Sequence, residues 1–342
     1  MSAQVLVTEA DSHLGLSLVG NLVARGYRVR AGVRGGTDAR RCEPLRLLGA
    51  KVVNLDITRP DMLAPEMEGV DGVFQTVSVP EARSKNTERD VVTPAVEGAV
   101  NVLAAARNAG VERIVFTSSV AAVGKRQGGG PTARLSEDEW NEHPVNPCVR
   151  AKTEAERRAW EFTRANGMKM VAINPAVLLG PGFHSHTPCT ETFARILLEQ
   201  LSVLPPFSAA YVDVRDVAEL HRLAFESDDA NGRYIASNSP ATSMQQVAEI
   251  IQEIEPTIRV PRISIPEWMA RSLAILDTVT HRICGRRRHS AEDIVEEFGG
   301  EELHCSSEKA ARDLGWRPRP LESTLADTLD WIRSRFLSVD RR

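Results

Sequence analysis

The chain has 342 residues, a formal charge of -4 and an isoelectric point near 6.1. That length can bury a large core and suits one large α/β unit carrying a smaller lobe, while the slightly acidic balance excludes a general attraction to nucleic acid or to an anionic membrane surface. Five cysteines, Cys42, Cys148, Cys189, Cys284 and Cys305, are scattered without a metal-type CxxC and cannot all be paired, so neither a disulfide framework nor a metal site is expected. With no charged leader before the first strand and no apolar run near the ~20 residues of a membrane span, the expectation is a cytoplasmic protein with no membrane or nucleic-acid partner.

In chain order, strand-like and helix-like segments alternate over the first two thirds. "QVLVT" (4–8) leads through a short polar link into "LSLVGNLVARG", spaced as a helix to Arg25. "YRVRAGV" (27–33) follows, then a helix around "ARRCEPLRLLG" (39–49), the strand "KVVNLD" (51–56), a short helical piece and the strand "GVFQTVS" (72–78). A long helix over "TPAVEGAVNVLAAARNAG" (93–110), the strand "RIVFTSS" (113–119), a loop, a helix from about Val149 to Asn166 and the strand "KMVAINPAVLLG" (169–180) complete the series. Apolar strand runs separated by helices predict a parallel sheet covered on both faces, a doubly wound α/β fold. After Pro181 the alternation lapses into a proline-rich stretch, "YVDVRDVAELHRLAFE" (211–226) returns to strand and helix, and the rest is helical with short strands. The expected organisation is a main unit over 1–181, to which 209–237 returns, with 182–208 and 238–342 forming mainly a smaller lobe. The one dense basic patch, "GRRRHS" (285–290), reads as a solvated face.

A buried strand that enters a helix through a short link is the arrangement that lays a pyrophosphate on a helix N-terminus, and such a link should be rich in glycine. In "VLVTEADSHLG" (5–15), Glu9 and Ser12 stand where two glycines are expected and only Gly15 remains. The block "GVFQTVSVPEARSKNTERDVVTPAVEGAVNVLAAARNAGVERIVFTSSVAAV" and the segments "AKTEAERRAWEF", "INPAVLLGPG", "YVDVRDVAELHRLAFE" with "GRYIAS", and "KAARDLGWRPRPLESTLADTLDWIRS" follow in order. With these blocks the chain resembles, over nearly its whole length, the extended short-chain dehydrogenases/reductases, in the dihydroflavonol-reductase-like, epimerase-like branch.

The resemblance implies a Rossmann sheet with a C-terminal substrate lobe and a nicotinamide cofactor site. The T-G-x-x-G-x-x-G turn falls on Thr8 through Gly15, with two of its three glycines missing. The catalytic serine falls on Ser119, with Ser118 beside it, and the Y-x-x-x-K pair falls on Cys148 and Lys152, so the tyrosine is absent. The N-P-x-x-x-x-G-P motif is intact from Asn174 to Pro181. Arg34 sits where this branch places the arginine that pairs with a 2'-phosphate, a task suited to a guanidinium fork, with Arg40 and Arg41 on the next helix. Thr8, Gly15, Arg34, Asp56, Lys152 and Pro175 are the implied cofactor-binding set. The long helices near 90–109 and 149–166 are where this family often dimerises, so a homodimer is one expectation for partners.

Two departures set the functional expectation. Glu9 brings a negative charge toward a bound phosphate; two like charges ~4 Å apart at an effective dielectric near 20 repel by roughly 4 kcal/mol, unless Glu9 turns outward and Ser12 offers its hydroxyl. The thiol of Cys148, one helical turn from the Lys152 ammonium, falls several ångströms short of a phenolic oxygen and reads either as a proton donor acting through water or as a small buried filler. His184 and His186, in "GFHSHTPC" on a loop where this family contacts substrate, are candidates to move a proton, since imidazole titrates near neutral pH. The expectation is that no cofactor is required, or that NADP(H) binds weakly. The catalytic set Ser119, Lys152, Cys148, His184 and His186 would then perform a redox-neutral step on a small polar molecule: a cyclisation, isomerisation, elimination or addition. An NADPH-dependent ketoreductase and a non-enzymatic dinucleotide sensor or partner-binding subunit are the alternatives.

Overall fold

The apolar runs pair side by side in the computed structural model, which describes residues 2–76, 86–124, 135–144, 146–204, 206–238, 241–261, 263 and 304–337. The basic stretch 285–290 lies outside them. Seven of the strands form one parallel sheet: β1 (Gln4–Val7), β2 (Arg28–Val33), β3 (Lys51–Asn54), β4 (Gly72–Thr76), β5 (Arg113–Thr117), β6 (Lys169–Pro175) and β10 (Gly232–Ala236), in the spatial order 10-6-5-4-1-2-3. The order reverses between β1 and β4, so the carboxyl ends of these two strands open the crevice where such sheets bind ligands.

One face of the sheet is covered by α1 (His13–Ala24), α2 (Ala39–Leu47) and α8 (Val214–Glu226), whose Leu18, Leu22, Leu45, Val217 and Leu220 pack on Val5, Val7 and Phe74. The other face carries α3 (Pro60–Met67), α4 (Thr93–Asn108) and α6 (Pro147–Ala165), through residues such as Leu63, Val102, Leu103 and Ala159 against Leu6, Val73 and Phe116. A strand with apolar side chains on both faces has to be sandwiched in this way. A third core joins Leu179 and Phe193 to Leu325 and Leu329. These come from β7 (Val177–Leu179), α7 (Pro188–Leu197) and the last long helix; α9 (Met244–Ile254) adds Met244, Val247 and Ile251. In chain order the last two helices are α10 (Glu308–Leu314) and α11 (Leu321–Ile332), and a π-helical turn, Arg333–Leu337, extends α11.

Local chemistry moved several boundaries. The run expected as one strand over 169–180 splits, because the Ala176 amide donates to the carbonyl of Ala236 and β7 pairs instead with β9 (Tyr211–Asp213). The helix expected from about Val149 starts at Pro147, since Asn146 caps it by accepting from the Val149 amide and proline is well tolerated in a first turn. Among the described residues Cys42, Cys148, Cys189 and Cys305 form no disulfide, no helix is long and apolar enough to cross a membrane, and no group of three or more ligating side chains suits a metal.

Candidate functional site

At the crevice, the link after β1 is pinned to both neighbouring strands. The Thr8 amide donates to the Phe74 carbonyl at 3.0 Å and the Ala10 amide to that of Gly32 at 2.9 Å. The Thr8 hydroxyl oxygen accepts from the Thr76 amide at 3.0 Å, and the Thr76 hydroxyl donates to the Thr8 carbonyl. Glu9 adopts φ 45°, a left-handed conformation that a glycine takes without strain. Glu9 therefore holds the left-handed conformation that the missing glycine would favour. Gly15 is irreplaceable on steric grounds, since a Cβ there would lie 2.4 Å from the Glu9 carbonyl oxygen and 2.7 Å from the Ala10 Cα. Ser12 is the N-cap of α1, its Oγ accepting from the Gly15 amide at 3.0 Å, which leaves the hydroxyl proton to donate elsewhere.

The acidity of this link is compensated. Arg34, at the end of β2, lies 4.0 Å from Glu9 and 3.9 Å from Asp56, and Arg41 of α2 reaches Asp11 at 2.7 Å. Burial raises the Asp56 carboxyl, but the Thr58 hydroxyl and amide and the Arg34 guanidinium outweigh it and hold the group below its usual range. The roughly 4 kcal/mol repulsion expected from Glu9 assumed a bare carboxylate; with an arginine beside each acidic side chain, that argument fails.

The neighbouring strand end carries two serines in different roles. Ser118 is buried and donates to Glu156 at 2.6 Å, so it belongs to the framework. Ser119 is half-buried and caps α5 (Val120–Val123), its Oγ accepting from the Ala121 amide at 3.2 Å while its own proton stays available. Its carbonyl is held by Asn174 Nδ2 at 3.1 Å. On α6, Cys148 is half-buried and packs against the cluster of Val91, Val92, Ala95 and Ala151; Lys152 is one turn further along the helix. Pro175, at the end of β6, follows Asn174 directly.

Glu156, one turn beyond Lys152, organises this half of the crevice and was not singled out from the sequence. Fully buried, it accepts from Arg233 Nε at 2.7 Å, Arg233 Nη2 at 3.1 Å, Ser118 at 2.6 Å, Asn174 at 2.9 Å and Trp160 at 3.2 Å. Arg233 also donates to the carbonyls of Glu137 and Glu139 and lies 4.0 Å from the centre of the Trp140 ring. The carboxyl ends of β5 and β6, the start of β10, the helix bearing Lys152 and the loop before it thus meet at one carboxylate. Its position four residues after Lys152 was the available signal.

The loop after β7 folds back onto the start of α1. His13 Nε2 lies 3.0 Å from the Pro181 carbonyl oxygen, and its ring meets Phe183 edge-on at 5.5 Å; burial pushes its imidazole down to about 4. Burial, with the charges of Arg41 and Arg335, holds the His184 imidazole below the usual range against the opposing pull of Asp11. His186 packs against Phe336 at 4.2 Å and Phe183 at 5.8 Å. Both histidines therefore reach the α1 side of the crevice with the C-terminal turn.

A left-handed residue 9, a closely packed Gly15 and an arginine at the end of β2 fit a dinucleotide, and known proteins agree. Cinnamoyl-CoA reductase 2 of Arabidopsis thaliana is 34% identical over 267 residues, covering 75% of this chain and 79% of that protein. Dihydroflavonol 4-reductase of Hordeum vulgare is 30% identical over 278 residues, covering 75% and 77%. The yeast methylglyoxal/isovaleraldehyde reductase crystallised with NADPH shares the fold at a TM-score of 0.72 and 24% identity, over 97% of this chain and 98% of that one. The family described as NAD dependent epimerase/dehydratase matches residues 5–237. The family match overturns the expectation that no cofactor is required or that NADP(H) is held only weakly, and the arginines beside Glu9 and Asp11 supply the physical reason. The chain belongs to the NAD dependent epimerase/dehydratase family, in the branch that holds the dihydroflavonol and cinnamoyl-CoA reductases.

Proposed function

We propose that this protein is an NADP(H)-dependent reductase acting on a carbonyl group of a small organic substrate. The observation that carries the reading is the compensated link, in which Glu9 keeps the glycine-like backbone while Arg34 and Arg41 balance its acidic side chains. Thr8 and Gly15 would shape the cradle, Arg34 would fork onto the 2'-phosphate, Asp56 would face the adenosine, and Pro175 and Lys152 would flank the nicotinamide end. When bound, the dinucleotide supplies hydride. Ser119 donates its free proton as a hydrogen bond to the substrate carbonyl, and Lys152 places a cation where negative charge develops on that oxygen, each worth a few kcal/mol in a site shielded from water. Cys148, packed on Val91 and Val92, serves as filler, so the proton reaches the oxygen through the Ser119 hydroxyl, which takes a proton back from solvent water, instead of from a phenol. Substrate would enter between this crevice and the loop after β7. The reductases among its relatives support hydride transfer to a carbonyl.

The missing tyrosine favours a second reading, a redox-neutral isomerisation or elimination at Ser119 and Lys152 with the dinucleotide bound. The test is a titration of purified protein with NADPH and NADH, followed by NADPH consumption against a panel of aldehydes, ketones and aryl-CoA thioesters. Micromolar NADPH binding with turnover on at least one carbonyl is the expected result. Binding without turnover on any of them moves the assignment to the second reading, and no binding of either cofactor overturns both.

A further inference from the structure

Ser12 Oγ already occupies the Gly15 amide, and the glycine that would bring backbone closest to a phosphate is gone. A diphosphate lying along this link therefore needs hydrogen-bond donors and positive charge from side chains, and three separate elements approach it. Helix α2 contributes Arg41, the loop after β7 contributes His184, and the π-helical turn after α11 contributes Arg335. The loop is fastened to the first turn of α1 by His13, which contacts the Pro181 carbonyl and the Phe183 ring. The C-terminal turn is fastened to the loop in its turn: Phe336, next to Arg335, stacks on Phe183 at 5.4 Å with the rings 13° apart, and the Trp331 indole donates to the Phe183 carbonyl at 3.0 Å.

The histidine carries the second, independent sign of a ligand. Its Nε2 is shut off from solvent and has no hydrogen-bond partner among the described residues, although buried polar atoms are nearly always paired. Arg41 uses one nitrogen on Asp11, at 2.7 Å to Oδ2 and 3.4 Å to the carbonyl, which leaves further donors of its fork unspent.

We propose that Arg41, His184 and Arg335 form a side-chain clamp for the diphosphate of the bound dinucleotide, doing the work that glycine backbone does in a glycine-rich link. This rests on the reading of the crevice as a dinucleotide site. It assigns to the C-terminal turn a direct part in cofactor binding, so that the lobe and the sheet close on the diphosphate together.

The test uses ADP-ribose, which carries the diphosphate without nicotinamide, and adenosine, which carries neither, in calorimetric titrations of the full chain at fixed ionic strength. Arg335→Ala and His184→Gln should each weaken ADP-ribose binding about tenfold, Arg335→Lys should restore most of the loss, and the adenosine affinity should stay within twofold. Arg335 is exposed, so its variant keeps the test intact even if His184→Gln fails to fold. If wild type binds ADP-ribose and Arg335→Ala binds it equally well, the clamp is refuted while the reductase assignment stands. If wild type binds neither ADP-ribose nor NADPH, both fall together.

Discussion

Replacing Glu156 by glutamine should destabilise the protein by about 3–5 kcal/mol, the usual cost of leaving one member of a buried ion pair without the other. The geometry says why an isosteric amide cannot compensate. One carboxylate oxygen accepts from Trp160 and Arg233 Nε, the other from Ser118, Asn174 and Arg233 Nη2. An amide NH2 on either side faces donors that cannot turn into acceptors: the indole and Nε on one, Nη2 on the other. The Arg233 side chain is only 6% exposed, so its charge cannot be rescued by solvent. Urea unfolding followed by circular dichroism is the assay. With a slope of about 3 kcal/mol per molar, the midpoint should fall by roughly 1–1.7 M. A double-mutant cycle separates the pair from general damage, because Glu156→Met with Arg233→Met removes both charges and should be less destabilised than either single variant suggests. A loss below about 1 kcal/mol for Glu156→Gln, or strict additivity in the cycle, would refute the claim that this carboxylate ties the three strand ends together.

Gly15→Ala should cost at least about 2 kcal/mol, because the added methyl meets backbone at 2.4 Å and backbone cannot swing aside; an unchanged melting temperature would count against the close packing of α1 on its link. Arg34→Ala should abolish a preference for NADPH over NADH, measured by parallel titrations, and equal affinities in the wild type would remove the case for a 2'-phosphate fork. His221 is fully buried, lies 2.7 Å from the Thr117 hydroxyl, and is pushed by burial from 6.5 down to about 4. The unfolded chain thus binds the proton first, and stability is full above pH 6.5 and falls as the pH drops toward 4, by about 2 kcal/mol between pH 6.5 and 5 from this residue alone. His221→Gln should flatten that part of a stability-against-pH profile, and an unaltered slope would show that the imidazole titrates normally.

The sheet was legible because strands sandwiched between helix layers must be apolar throughout, as "VLV" and "IVF" are, and because the single glycine left in the first link sits where a helix crosses backbone too closely for any Cβ. What could not be read is contact between distant positions. Glu9 looked hostile to phosphate in isolation; Arg34 lies beside it only because β1 and β2 are neighbours. Ser118 and Ser119 are indistinguishable as letters, and their roles separate only once Glu156 reaches the first of them. Glu156 and Arg233 are 77 residues apart, and nothing in either local stretch names the other as its partner. His184 and His186 were rightly placed on a loop after Pro181, but where that loop turns depends on the His13 imidazole and the Phe336 ring, which no local pattern encodes.

The contacts that seat the loop after β7 also set a timetable for a nascent chain. The Gly180 amide donates to the Thr328 hydroxyl and the Phe183 carbonyl accepts from Trp331, each across 148 residues of sequence. At ~5–20 residues per second a ribosome needs roughly 7–30 s to make that interval. Throughout it the parallel strands up to β6 can already pair, while Phe183 and the rim of the crevice wait without their cover. A chain stalled or clipped within that window would present an assembled sheet beside an apolar, unfinished edge, a substrate for chaperones and proteases before it can serve as a catalyst.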